Sequence, residues 1–183
     1  METATAVRTK WAVDLAHSEF SFKVKHLMIT NVKGAFREVD ANIFTRGDDF
    51  LTSEINVVIK VASLDTGDEK RNAHLKSADF FDAGNHHDLL FEGEKIQKTA
   101  DENQFILYGE LTIKGVTVPV KLNVEFNGFM KDPWGRQKAG FSIEGKINRK
   151  DWELNWNKTL ETGGVLVGDE VRISCEVQLV KDS

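Results

Sequence analysis

Residues 103–149 carry an alternation of apolar and polar side chains that persists through two reversals of the chain. A period of two is the pattern of a β-strand with one buried face, whereas a helix repeats every 3.6 residues. Runs of about ten residues exceed the usual five or six and reach ~35 Å at ~3.4 Å per residue. A flat, open sheet of such strands would expose a large apolar face. The sheet must therefore roll up, pack on a second sheet or be covered.

Two turns define the expected register of these strands. The first is centred on Lys114 and Gly115, and the second, Asp132 to Gly135, suits a type I turn with Pro133 at its second position. Both reversals bring apolar residues opposite one another, as a shared buried face requires. The expected pairs are Ile113–Val116, Leu111–Val118, Leu107–Leu122 and Phe105–Val124 in the first hairpin, and Phe126–Phe141, Val124–Ile143 and Val120–Ile147 in the second.

Alternation elsewhere gives about eight principal strands in all, with a β-bulge expected near Val39. Residues 65–81 break the pattern and predict one or two short helices, capped by Asp65 or Thr66, lying across a barrel mouth. We therefore predict an all-β fold, an antiparallel barrel of about eight strands. Pro119 lies inside one strand, so that strand is expected to be an edge, bulged or unpaired there, where the barrel opens or two chains meet.

Length and charge limit the organisation and the partners. A chain of 183 residues fits one domain, and we expect a flexible segment at 1–9 and a single barrel domain at 10–181. The net charge of -5 argues against nucleic acid and anionic membrane surfaces as partners. Neither a signal peptide nor a membrane-spanning segment is apparent, which predicts a cytoplasmic protein. Cys175 shares the apolar parity of its strand and is interpreted as a small buried hydrophobe.

The inward face is apolar, and its glycines bear on whether the barrel is hollow. A barrel of eight strands is either filled by its own side chains or holds one small ligand. Gly109 and Gly145 remove volume from inward positions, which favours a long apolar slot suited to a hydrocarbon chain. Alternatively, these glycines relieve barrel curvature.

Catalytic and metal chemistry find little support in the sequence. The five histidines are scattered, and the adjacent pair His86-His87 lacks a third ligand at a recognisable spacing. No metal site and no cofactor are expected. His26 ends an apolar strand and is an inward group able to donate to a polar head. Arg71 and His74 supply donors at a possible barrel mouth, where they would meet a pyrophosphate or a quinone carbonyl.

A set of short motifs, in order along nearly the whole chain, resembles the YceI-like family of lipid-binding barrels. The matching segments are 11–14, 17–18, 22–26, 34–36, 71–81, 109–120, 134–135, 139–141, 147–151 and 167–171. The resemblance implies a lipocalin-like antiparallel barrel, commonly a homodimer, that takes the tail of an isoprenoid quinone or a prenyl pyrophosphate without catalysis. Two departures, His86-His87 in place of an aromatic-Pro pair and Glu153 in place of Gly, predict loops of different shape.

The leading hypothesis is a noncatalytic carrier or store for a long isoprenoid lipid. The residues expected to line the slot are Phe20, Phe22, Val57, Ile59, Phe91, Leu107, Leu111, Leu122, Val124, Phe141 and Ile143. Those expected near the head group or rim are His26, Arg71, His74, Trp134 and Trp152. Two alternatives remain open: an enzyme acting on an apolar prenyl substrate with His26 as acid or base, and a filled barrel used for protein interaction under stress.

Overall fold

The computed structural model describes residues 7–161 and 163–182, which form one β-sheet and one short α-helix. The strands are β1 (Arg8–Val13), β2 (Glu19–His26), β3 (Thr30–Phe36), β4 (Val39–Arg46), β5 (Asp49–Lys60), β6 (Leu64–Asp65), β7 (Asp88–Lys98), β8 (Gln104–Ile113), β9 (Val116–Lys131), β10 (Gln137–Asn148) and β11 (Val167–Lys181). The helix α1 spans Glu69–Lys76, and 3-10 turns occur at Leu15–His17, Val61–Ser63 and Arg149–Trp152.

The sheet closes on itself because β1 pairs with both β4 and β11. β1 and β2 lie end to end along the long β11, and β3 with β4, and β5 with β6, are likewise halves of interrupted strands. The bulge expected near Val39 is instead a break in the strand, since β3 ends at Phe36 and β4 begins at Val39. Counted this way, eight antiparallel strands form the wall, which confirms the predicted all-β barrel. Closure pairs most of the backbone groups that would stand free at the edges of an open sheet.

The β8–β9 hairpin has the predicted register throughout, from Ile113–Val116 to Phe105–Val124. Lys114 and Gly115 both adopt positive φ, 53° and 77°, as a tight hairpin turn requires. In β9–β10 the pairs Phe126–Phe141 and Val124–Ile143 are also confirmed.

The third β9–β10 pair, Val120–Ile147, was predicted wrongly. Pairing between these strands ends at Asn123–Glu144, and the 3-10 turn Arg149–Trp152 contacts β9 beyond that point. Pro119 therefore faces Glu110 on β8 but no strand residue on its other side. The missing N–H of proline costs no ladder hydrogen bond there, which is the unpaired alternative foreseen for this residue.

The short helix predicted within residues 65–81 is α1, but its N-cap is Asp68 and not Asp65 or Thr66. The side chain of Asp68 accepts hydrogen bonds from the backbone N–H groups of Lys70 and Arg71. The barrel also begins earlier than residue 10, since β1 starts at Arg8 and Thr9 is buried. Residues 1–6 of the predicted flexible segment lie outside the described residues.

The inward glycines do not create the open space predicted from them. A Cβ built on Gly109 would lie 2.5 Å from the carbonyl oxygen of Glu92 and 2.6 Å from the ring of Phe91. A Cβ on Gly145 would lie 2.5 Å from Cδ2 of Leu122. Neighbouring side chains thus fill the volume above both glycines, whose role is close packing of adjacent strands.

We expect Gly109→Ala to lower the free energy of unfolding by about 1–3 kcal/mol, because the added methyl meets a backbone carbonyl that cannot turn aside. Gly84→Ala is the matched control, since a Cβ there has nothing within 4 Å. Urea denaturation of both variants measures the difference. Equal stability of Gly109→Ala and wild type would contradict the contact.

Candidate functional site

The barrel encloses a cavity of about 1090 Å³. It lies between two apolar clusters, one built around Trp11 and Phe141 and the other around Val61 and Trp152. All of the residues predicted to line the slot are on its wall, namely Phe20, Phe22, Val57, Ile59, Phe91, Leu107, Leu111, Leu122, Val124, Phe141 and Ile143. The interior is therefore hollow, and the filled barrel that the sequence left open does not describe this structure. Whether these side chains contact a ligand stays a prediction.

The alternation of side chains along each strand determines which residues form the cavity wall. In β2, Phe20 and Phe22 lie opposite Cys175 and Ile173 of β11 and point inward, whereas Lys23 between the inward residues is exposed. The same parity brings Leu107 of β8 beside Leu122 of β9. Because each strand contributes alternate residues, the wall is apolar along its whole length and the titratable side chains gather at its two ends.

One end of the cavity is narrowed by aromatic rings. Phe50 lies with its ring centroid 4.9 Å from those of both Trp11 and Phe141, and 5.9 Å from that of Phe129. Trp11 is fully buried and donates its indole N–H to Thr45 Oγ1 at 2.9 Å. The titratable residues that line this end are mostly acidic: Asp48, Asp49, Asp101 and Glu102, with Lys98.

At the opposite end, which we call the mouth, the structure brings together His26, Arg71 and His74. His74 is fixed from two sides, since its Nε2 lies 2.9 Å from Asp79 Oδ2 and its ring meets that of Trp156 edge-on at 4.6 Å. Arg71 is exposed and only loosely held, 3.9 Å from the carboxylate of Asp68. An exposed guanidinium and an oriented imidazole at one opening suit a polar or anionic head group.

Arg149 is a cavity residue that sequence reasoning missed as a site candidate. Its side chain is 3% exposed and donates to the backbone carbonyls of Leu154, Trp156, Val167 and Gly168. Burial lowers the pKa of the guanidinium, while the carboxylate of Asp169, 3.7 Å away, opposes that shift. Arg149 thus ties the segment 153–168 across the mouth, where Trp156 and Leu166 line the cavity.

Two predicted rim residues are placed elsewhere. Trp134 is 79% exposed in the β9–β10 turn, where the hairpin carries it beyond the wall. Trp152 is buried in the core and donates its indole N–H to the carbonyl of Leu111 at 2.8 Å. Neither side chain is among those that line the cavity, and contact of either with a head group stays a prediction. Their positions depend on turns whose shape the alternation does not encode.

Cys175 lines the cavity, and burial raises the pKa of its thiol to about 12. A free cysteine has a pKa of about 8.5, so its thiolate fraction at pH 8 exceeds that of Cys175 by more than about a thousandfold. We expect iodoacetamide to modify Cys175 at least that much more slowly in the folded protein than in guanidinium. Mass spectrometry of quenched samples gives both rates, and comparable rates would show that the thiol is accessible.

Neither a metal centre nor a membrane-spanning helix emerges from the described residues. No group of three or more His, Cys, Asp or Glu side chains in 7–161 and 163–182 is arranged to hold a metal ion. Within the same residues, no helix has both the length and the apolar character needed to cross a bilayer.

Several known proteins are similar to this chain in sequence and in architecture. Residues 11–179 match the model of the YceI-like domain. A UPF0312 protein of Staphylococcus epidermidis is 38% identical over 176 residues, covering 96% of this chain and 99% of that protein. The crystal structure of BcnA from Burkholderia cenocepacia superposes with a TM-score of 0.77 at 26% identity, over 91% of this chain and 98% of that one.

A more distant structure shares the fold alone. The polyisoprenoid binding domain from Saccharophagus degradans has a TM-score of 0.65 at 13% identity, covering 94% of this chain and 98% of that domain. Together with the match across residues 11–179, the hollow antiparallel barrel establishes the assignment. The chain belongs to the YceI-like domain family.

Proposed function

We propose that this protein is a noncatalytic carrier or store for a long-chain isoprenoid lipid, such as an isoprenoid quinone or a polyprenyl pyrophosphate. The observation that carries the proposal is the cavity, about 1090 Å³ in volume and walled by aliphatic and phenylalanine side chains. Sites for drug-sized ligands usually measure ~300–1,000 Å³. A long, flexible hydrocarbon matches both the size and the apolar wall.

The free energy of binding would come from the tail. Burying several hundred Å² of apolar surface at ~25 cal/mol per Å² gives on the order of 10 kcal/mol before the costs of association. A polar contact at the mouth would add a smaller amount, because Arg71 is exposed and solvent screens its charge. Retention is therefore expected to depend on the wall, while the head group is selected weakly.

Two further observations support binding rather than catalysis. The distant structural neighbour from Saccharophagus degradans is a polyisoprenoid binding domain built on the same fold. In the described part of this chain, the imidazole of His26 has no side-chain hydrogen-bond partner to orient it, whereas a general base usually has one. Homodimer formation and a cytoplasmic location stay predictions.

Native mass spectrometry of the purified protein, followed by organic extraction and mass analysis, tests the proposal. We expect a released isoprenoid in stoichiometric amount, or stoichiometric uptake of an added quinone or prenyl lipid. If the purified protein contains no lipid and takes up neither the added quinone nor the added prenyl lipid, the carrier function is contradicted. Turnover of a prenyl lipid by wild type, lost in His26→Ala while binding persists, would show an enzyme instead.

A further inference from the structure

The turn between β2 and β3 exposes three consecutive large apolar side chains. Leu27 is 39% exposed, Met28 54% and Ile29 78%. We call residues 27–29 the hairpin tip. Single apolar residues on a surface are ordinary, but a contiguous projecting group is characteristic of an interaction site.

The backbone of the hairpin tip is unfavourable for the residues it carries. Leu27 and Met28 adopt φ of 53° and 64°, in the left-handed region that L side chains rarely occupy. Asparagine and glycine are the residues that suit such turns. These two large apolar side chains are held at a backbone cost while about 40–50% of their surface stays exposed (39% for Leu27 and 54% for Met28), so burial accounts for them only in part.

The hairpin tip borders the mouth of the cavity. The backbone N–H of Leu27 donates to the carbonyl of Leu166 at 2.9 Å, and both Leu166 and His26 line the cavity. A Cβ built on Gly164 would lie 3.6 Å from Sδ of Met28, so the tip also packs on the segment that crosses the mouth. A surface that covers the hairpin tip would therefore also lie against the mouth of the cavity.

Charge distinguishes the two ends of the barrel. The titratable residues lining the mouth are cationic or histidine: Lys25, His26, Lys70, Arg71, His74 and Arg149. Lys25 and Lys70 form no ion pair within the described residues. Acidic residues lie at the same end: Asp68, Asp79 and Asp169 are 3.9, 2.9 and 3.7 Å from Arg71, His74 and Arg149 respectively, and the segment beside the tip adds the exposed Glu153, Lys158 and Glu161.

The opposite end also carries exposed apolar side chains, Met130 and Trp134, but the cavity lining there is mostly acidic. An anionic surface would attract Lys25 and Lys70 at the mouth, although the net charge of the whole chain is -5.

From these observations we infer that the hairpin tip inserts into the surface of a lipid bilayer with anionic head groups, and so places the mouth against the membrane. Apolar side chains beside basic residues are the pattern of interfacial binding. A lipid would then pass between bilayer and cavity without exposing its tail to water. This exchange step depends on the proposed carrier function, whereas docking itself does not.

Site-specific fluorescence tests the docking. Ile29→Cys labelled with the environment-sensitive dye NBD is the probe, and Met130→Cys, at a residue 74% exposed on the opposite end, is its matched control. The native Cys175 is partly buried and faces the cavity, where desolvation raises the pKa of its thiol to about 12, so it should react much more slowly than the introduced cysteine. With vesicles of equal parts phosphatidylcholine and phosphatidylglycerol, we expect a blue shift at position 29 and none at 130. No shift at 29, or equal shifts at both, would overturn the inference.

A variant compatible with the turn separates docking from folding. The substitutions Leu27→Asn, Met28→Gly and Ile29→Ser together suit the left-handed backbone, so the melting temperature should be unchanged or higher. We expect the fraction bound to these vesicles to fall about tenfold or more, since apolar insertion is removed. Uptake of isoprenoid from detergent should persist, while transfer from vesicles slows.

Other results would contradict the inference or locate the failure elsewhere. Undiminished vesicle binding by this variant would overturn docking through the tip. A blue shift at position 29 that needs no vesicles and tracks dimer formation in sedimentation would assign the tip to contact between copies. Wild type that binds vesicles but takes up no isoprenoid from detergent would refute the carrier function and leave docking intact.

Discussion

Leu111→Asp is expected to abolish lipid retention while leaving the barrel folded. Leu111 lies in β8 between Phe91 of β7 and Val118 of β9, and its half-buried side chain faces the cavity. In the empty protein, water in the cavity can hydrate the new carboxylate. With a tail bound, the same group loses that water without gaining a partner, at a cost of several kcal/mol. Since ~1.4 kcal/mol is tenfold in affinity, we expect binding to weaken by about a hundredfold or more.

The lipid-to-protein ratio after purification, measured by native mass spectrometry and extraction, reports this loss. Leu111→Met keeps an apolar wall of similar volume and should retain lipid at the wild-type ratio. Arg71→Ala should weaken retention only moderately, because that side chain is exposed at the mouth. Phe141→Asp should also empty the cavity, with an added loss of stability from the contacts to Phe50 and Phe126. An unchanged ratio in Leu111→Asp would refute the inward assignment of Leu111.

Arg149→Met is expected to lower the free energy of unfolding by about 3–5 kcal/mol and to release the segment 153–168 from the mouth. The guanidinium serves four backbone carbonyls, and methionine fills similar space without donating to any of them. Each buried acceptor left without a donor costs about 1–3 kcal/mol, which rehydration of the freed segment partly recovers. Asp169, whose Oδ1 is buried without a hydrogen bond, would also lose its nearest guanidinium.

Urea denaturation measures the change in stability, and limited proteolysis locates the released segment. Lys150→Met is the matched control, because Lys150 is exposed and its Nζ lies 3.3 Å from the same Asp169, an ion pair worth about 0–1 kcal/mol. Arg149→Lys should recover little, since an ammonium cannot span the carbonyls that the planar guanidinium reaches. Wild-type stability and unchanged proteolysis of Arg149→Met would show that the carbonyls have other donors.

The register of the β8–β9 hairpin was predictable from its side-chain pattern and its turn. A shift by one residue would turn the apolar side chains to the wrong face, so only registers two residues apart are allowed, and the turn at Lys114 and Gly115 selects one of them. The limits of α1 were not, since that helix has few apolar residues and none that is fully buried. Without an apolar stripe, only the caps mark where a helix starts. Several acidic and hydroxyl residues before the helix could serve as its N-cap, and in the structure the N-cap is Asp68.

Arg149 and Gly109 show which features of the candidate site could not be predicted from the sequence. Their identities are plain in the sequence, but Arg149 is buried only because the segment 153–168 folds back and offers its carbonyls. Gly109 suggested empty volume, yet the ring of Phe91 from the neighbouring strand occupies that space. The burial of Arg149 and the filled space above Gly109 both depend on residues from other parts of the chain. Alternation along a single strand carries no information about those contacts.

The sequence by itself determined long antiparallel strands with one apolar face, because alternation fixes which side chains share a face, and closure into a barrel is one of the ways to bury that face. Only the tertiary structure decided that the interior is hollow, that the mouth is basic and the opposite end acidic, and that an apolar hairpin tip stands beside the mouth. Cavity volume is a small difference between the space inside the wall and the side chains that fill it. Charge at each end depends on which turns meet there, and both are set by the packing of strands far apart in the chain.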